Sequence, residues 1–246
     1  MGIFSDRLEN AIKNNYIKIY YQPVVRTLSG KLCGFVALAR WDDPEFGIIG
    51  PDLFIPELEQ NKIIHKLDCY VIDEICRNYK VQSENGFSMV PVSFNLSRLD
   101  FTLCDIFSFI EDTIKKYNVP RDLFIIEITE TILQKDDYII KDTLENFHNA
   151  GYQVWMDDFG NAYSSLNVLK DYDFDTIKID MEFLSAFNQK SKMIITSIVD
   201  MAKKIGIGTL AEGVENAEQL KFLSDIGCEK VQGFFYGKPL TFENAL

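Results

Sequence analysis

Short apolar runs alternate with longer stretches of helical period along most of this chain. Runs rich in β-branched and aromatic residues occupy 17–25, 32–40, 88–95, 123–128, 152–157, 175–180, 207–211 and 229–234, each of strand length. Between them, apolar positions recur every three or four residues near 51–80, 104–117, 136–149, 189–205 and 216–226, which predicts amphipathic helices. The first residues, as far as Asn15, show the same period. Gly151, Gly206 and Gly227 each close a helical stretch and lead straight into a strand. Glycine just past a helix supplies the left-handed residue that stops it.

Eight strands with mostly helical crossovers predict an α/β fold, a modified TIM (β/α)8 barrel. The first two strands are joined only by a turn around Thr27-Leu28-Ser29-Gly30, too short for a crossover helix. They should pair as a hairpin, which makes one barrel strand near the N-terminus antiparallel. No Pro/Gly/Ser-rich linker divides the sequence, so one domain over 1–246 is expected. With 47% hydrophobic residues the chain can build a core of that size.

Charge narrows the function classes. The 37 acidic residues against 25 Lys and Arg give a net charge of −12, which disfavours a nucleic-acid binder working through a basic face. An anionic ligand would instead need bound cations between itself and the protein. Cys33, Cys69, Cys76, Cys104 and Cys228 form no C-x-x-C pair and have no histidine cluster beside them. Reduced thiols in a cytoplasmic setting fit this pattern better than zinc or disulfides. No run approaches the ~18 apolar residues of a membrane span, and the N-terminus lacks a signal-peptide core.

In an α/β barrel, catalytic groups gather at the C-terminal ends of the strands. Those ends carry Asn95, Glu127, Asp157 with Asp158, Lys178 with Asp180, Glu212 and Gln232. Taken singly, each has an ordinary alternative: Asp157 or Asp158 could cap a helix, and Asn95 could close an Asx-turn. Their coincidence on one rim favours a metal site. Carboxylates with an amide oxygen are hard ligands suited to Mg²⁺ or Mn²⁺, and His65 and His148 both fall in helical segments without a metal-spaced partner. Two such ions can activate water for an in-line phosphoryl displacement, with Lys178 as a fixed positive charge beside it.

The segments YQPVV, ALARW, FNLS, EITET, MDDFGNAYSSL, IKID, AEGVE and VQGFFYGKPL together resemble the EAL family, which hydrolyses cyclic di-GMP to linear pGpG. The resemblance runs from Tyr21 to beyond Gln232. It implies metal ligation by Asn95, Glu127, Asp157 and Asp158, with Asp180 close to the ions. Lys178 would position the hydrolytic water, and Glu212 and Gln232 would act on metal and bound water. Glu130 resembles the glutamate that steadies the neighbouring loop. Gln22 and Arg40 resemble residues that contact the dinucleotide, and Pro239 lies in the segment closing the guanine pocket. Members of the family commonly form homodimers through the helix after the DDFG loop.

Two departures bear on chemistry. The signature Glu-Ala-Leu reads Val36-Ala37-Leu38, so a metal-binding carboxylate is replaced by a side chain without oxygen. Asp42, Asp43 and Glu45 lie too far along to replace it readily. Asn161 and Ala162 stand where the family usually has Thr and Gly, which puts the loop's geometry in question. Three functions follow: a cyclic di-GMP-binding domain with weak or absent hydrolysis, an active Mg²⁺- or Mn²⁺-dependent phosphodiesterase, or an interaction module that binds neither. The first is expected.

Overall fold

The computed structural model describes residues 2–87, 90–133, 138–160 and 165–245. The strands are β1 (Ile17–Arg26), β2 (Leu32–Asp43), β3 (Gly47–Ile49), β4 (Val92–Asn95), β5 (Phe124–Thr129), β6 (Gln153–Phe159), β7 (Thr176–Ile179), β8 (Gly208–Ala211), β9 (Lys230–Gln232) and β10 (Leu240–Thr241). The helices are α1 (Ile3–Lys13), α2 (Pro51–Gln60), α3 (Ile64–Glu84), α4 (Asp100–Leu103), α5 (Ile106–Tyr117), α6 (Tyr138–Ala150), α7 (Ser165–Asp171), α8 (Glu182–Ser185), α9 (Gln189–Ile205), α10 (Ala217–Asp225) and α11 (Phe242–Ala245).

Eight strands close into a barrel in the order β1-β2-β4-β5-β6-β7-β8-β9, with β9 returning to β1. β3 and β10 extend the sheet outside the ring, on β2 and β1. From β2 through β9 the ring is parallel, and β1 runs against both of its neighbours. The hairpin expected from the short turn is therefore present, with Gln22 opposite Val36 and Tyr20 opposite Leu38. All eight expected strands form. The third begins at Val92, and positions 88 and 89 lie outside the described residues.

The helical stretch near 51–80 is two helices. Lys62 takes a left-handed φ of 57° and Asn61 turns its amide back onto the Glu57 carbonyl (2.9 Å), so α2 ends and α3 starts in a new direction. Gly151, Gly206 and Gly227 follow α6, α9 and α10 with φ of 94°, 81° and 72°, the left-handed conformation their positions predict. The sequence pattern did not announce β3, β10, α4, α7, α8 or α11, all seven residues or shorter. Elements that short carry too few turns or alternations to show a period.

Most of the core lies between barrel and helices, where Phe54, Phe94, Phe124 and Phe147 are fully buried. A smaller cluster, Val24, Val36, Ile125, Trp155 and Leu210, lies apart from it. Val36 and Ile125 share a face with the rim residues on their strands by the alternation of β-sheet side chains, so this cluster is an apolar plug inside the barrel. The polar rim is built above it.

Candidate metal centre

Register sets the rim. Asn95 ends β4 beside Glu127 of β5, and Thr129 of β5 pairs with Asp157 of β6. Lys178 lies on β7, Asp180 and Glu212 follow the ends of β7 and β8, and Gln232 ends β9. Alternation then turns Glu127, Asp157 and Lys178 to the same interior.

Lys178 organises the cluster. Its Nζ lies 2.9 Å from Glu127 Oε2, 2.8 Å from Asp157 Oδ1 and 2.9 Å from Glu212 Oε1. Burial by itself would lower the lysine's pKa, but the facing Asp157, Glu127 and Glu212 carboxylates overcome that and hold it well above its ordinary value. One ammonium cannot neutralise three carboxylates. Burial, together with Asp157 and Glu127, raises Glu212 to about 7 against the pull of Lys178. Burial and the charges of Asp157 and Glu212 raise Asp158 to about 7, and its carboxyl shares a hydrogen bond with Asp180. Burial likewise raises Glu127.

A cation fits this set. Asp157, Asp158 and Glu212 each offer an oxygen, and the three lie within 4.8 Å of one another. Glu127 Oε1 and Gln232 Oε1 are buried without a hydrogen-bond partner, a costly state that a coordinated ion or its water would relieve. Asn95 Nδ2 donates to Glu127 Oε2 at 3.3 Å, which brings its amide to the same edge. Asp158 holds a left-handed φ of 55°, unusual for a residue with a Cβ and characteristic of constrained sites. Its backbone N–H donates to Asp157 Oδ1 at 3.0 Å, so the two side chains are set by one local geometry.

Against this rim Val36 is 1% exposed, with its methyls in the plug. Of the three acids that follow it on and after β2, Asp43 is committed elsewhere. Asp43 Oδ2 is paired with Arg7 at 2.8 Å, and Oδ1 accepts from the N–H groups of Glu45 (2.9 Å) and Phe46 (3.2 Å), so it holds the β2–β3 turn. Asp180 takes part of a capping role, accepting the Glu182 N–H at 2.6 Å at the start of α8. Glu130 is buried in the 3₁₀ turn directly after β5. Asn161 and Ala162 lie outside the described residues.

Gln22, Arg40 and Pro239 lie toward the hairpin side. Gln22 Oε1 accepts from Gln232 Nε2 at 2.8 Å, and Gln22 Nε2 donates to the Gly237 carbonyl at 3.3 Å. One amide thus ties β1 both to the rim and to the segment carrying Pro239. That segment is fixed at its other end by Val214, whose N–H donates to the Gln232 carbonyl and whose carbonyl accepts the Phe235 N–H, each at 3.0 Å. Arg40 sits over the Tyr20 ring at 5.9 Å and donates to its neighbour's carbonyl. Two contributors escaped the strand-end reasoning. Ser93 is buried opposite Val36, its hydroxyl donates to the Phe35 carbonyl at 3.4 Å, and it works against the rise of the Glu127 pKa; Trp155 fills the plug. Neither stands at a strand terminus, so only the register marks them.

The EAL domain model matches residues 5–239. The chain belongs to the EAL domain family. It is 32% identical over 238 residues to the signaling protein YkoW of Bacillus subtilis, covering 96% of this chain and 30% of that protein. It is 31% identical over 241 residues to MucR of Pseudomonas aeruginosa, a bifunctional diguanylate cyclase/cyclic di-GMP phosphodiesterase, covering 97% of this chain and 35% of the relative. This EAL domain therefore spans about a third of the length of those relatives. The structure of the PaMucR phosphodiesterase in complex with c-di-GMP superposes with a TM-score of 0.91 at 30% identity, covering 99% of both chains. The fold is the TIM-like barrel of these EAL neighbours. Among the described residues, no helix of the domain is long and apolar enough to cross a membrane.

Proposed function

We propose that this EAL domain binds cyclic di-GMP at the barrel rim and hydrolyses it weakly or not at all. Val36 carries the reading: it has its methyls in an apolar plug within the barrel, and Asp43, on the same strand, is committed to Arg7 and the β2–β3 turn. Gln22, Arg40 and Pro239 would contact the dinucleotide, and the amide network of Gln22 gives that side a fixed shape. Asp157, Asp158 and Glu212 would hold a Mg²⁺ or Mn²⁺ ion, with Asp180 behind Asp158. Asn95 and Glu127 are left one carboxylate short of a second site of equal strength. A bound ion would offset the phosphate charge and lower the pKa of its water. Lys178 would hold that water, with Gln232 beside it, while Glu130 would brace the turn below.

Titration calorimetry with cyclic di-GMP, with and without Mg²⁺ or Mn²⁺, tests this when run beside an assay for pGpG. Binding without product is the expected result. Product formed at a rate abolished by Glu127→Ala would overturn it and establish an active phosphodiesterase. Absence of binding under every condition would leave an interaction module. The homologous c-di-GMP complex supports the ligand assignment.

A homodimer is the second part of the proposal. Phe159, Leu166, Met193, Ile194 and Met201 line a groove of about 440 Å³ between α7 and α9, and Leu166 and Met193 are 65% and 63% exposed. α7 is the helix that follows the DDFG segment. An apolar groove of this kind suits a second copy of the same helices. Light scattering across a dilution series is expected to show a dimer that Met193→Lys converts to monomer. A wild-type monomer at every concentration would refute it.

A further inference from the structure

Away from the rim, two acids face each other across α3 and α4. Asp100 opens α4 and is fully buried. Its Oδ2 accepts the Ser97 N–H at 2.7 Å. Its Oδ1 is buried and meets no N–H or hydroxyl donor among the described residues, and the carboxyl of Asp68 on α3 lies within hydrogen-bonding reach of the Asp100 side chain. Two carboxylates cannot form that bond without a proton between them. We infer that Asp68 keeps its proton in the folded chain and donates it to Asp100, so that the pair is a pH-sensitive latch between α3 and the loop that follows Asn95.

The surroundings assign the proton. The Ser97 N–H favours the charged form of both carboxyls, but its 2.7 Å bond is to Asp100 Oδ2, which makes Asp100 the anion and leaves Asp68 as the donor. The other charge acting on both is Glu59 of α2, itself acidic and held by Ser97 Oγ at 2.7 Å. Cys69 and Cys104 flank the pair as thiols that burial pushes up to about 12 and about 11, so they stay neutral and bring no charge. On α6, which also packs on α4, His148 engages Asp175, and Lys141, Asp142 and Glu145 are exposed. Burial raises Asp100 to about 6 and Asp68 well above the usual range.

The latch closes the far end of a short strap. Asn95 Nδ2 meets Glu127, the Leu96 N–H donates to the Glu127 carbonyl at 3.0 Å, and Arg98 donates to the Ile132 carbonyl at 2.6 Å. Asp100 then ties the strap to α3. Because both folded pKa values lie above the unfolded ones, the contribution to stability is complete below about pH 4. It is lost progressively as pH rises from there toward the folded values, about 6 for Asp100 and higher for Asp68.

The test compares thermal unfolding of the metal-free chain with that of Asp68→Asn from about pH 5 to about pH 8.5. An asparagine amide donates to Asp100 without a titrating proton. Tm of the wild type is expected to fall by about 5 °C relative to the variant across this range. The comparison cancels the titration of Glu212 and Asp158, which both proteins share. Asp100→Asn, which reverses donor and acceptor, should give the same flattening and covers the case in which the first variant fails to fold. The infrared band of a protonated carboxyl should also weaken in Asp68→Asn at neutral pH. Parallel Tm–pH curves for wild type and variants, or an unchanged band, would overturn the latch.

Discussion

Replacing Lys178 with methionine is expected to cost about 3–5 kcal/mol of stability without divalent cations, a Tm loss of about 10 °C near pH 8. The ammonium is 2% exposed and lies 2.8–2.9 Å from three carboxylates. Without it Glu127, Asp157 and Glu212 face one another in a space that water scarcely reaches. They can escape only by taking up protons or binding a cation. The raised pKa values of Glu127 and Glu212 then lie even further above the unfolded ones, so the deficit grows as pH rises and shrinks below about pH 6. Mn²⁺ should restore much of the loss, because the remaining oxygens suit a hard cation. Melting curves at two pH values, with and without Mn²⁺, measure all three effects. A loss under about 1 kcal/mol that ignores pH would mean the carboxylates are solvated and do not form a charged cluster.

Val36→Glu is expected to move stability and chemistry in opposite directions when no cation is present. The new side chain starts in the plug formed by Val24, Ile125, Trp155 and Leu210, with Gln22 and Ser93 as strand neighbours. Its carboxyl should lower metal-free stability by about 1–3 kcal/mol, as an added acid beside an already over-charged rim. With Mn²⁺ the same oxygen completes the Asn95–Glu127 side. Cation affinity should rise by about 10–100-fold and pGpG production with it. Calorimetry reads the first effect independently of the second. Unchanged affinity would show that the plug keeps the carboxylate away from the ion. Tighter metal binding without turnover would place the defect in the segment that holds Asn161 and Ala162.

Much of the barrel was legible before any coordinates. β-Branched runs of strand length, helical periods between them and three glycines at helix ends report local physics, which sequence encodes directly. The short turn at Thr27–Gly30 even predicted the antiparallel β1, since chain length forbids any other return. Elements such as α4 and β10 escaped because their few residues adopt their conformation from contacts, not from local preference. The split of α2 from α3 depends on a left-handed Lys62, a conformation that lysine does not advertise.

For the site, sequence supplied the residue types and the strand ends they occupy. The proposal of a missing oxygen at Val36 also starts there, because a valine in the Val36-Ala37-Leu38 segment is read directly from the sequence. What only the tertiary structure decided is how the charges are shared. Lys178 serves three carboxylates at once, Asp43 is committed to the β2–β3 turn and Arg7, and Val36 belongs to an apolar plug completed by Trp155. These contacts join residues far apart in the chain, and electrostatic coupling depends on distance and burial, which sequence order does not contain.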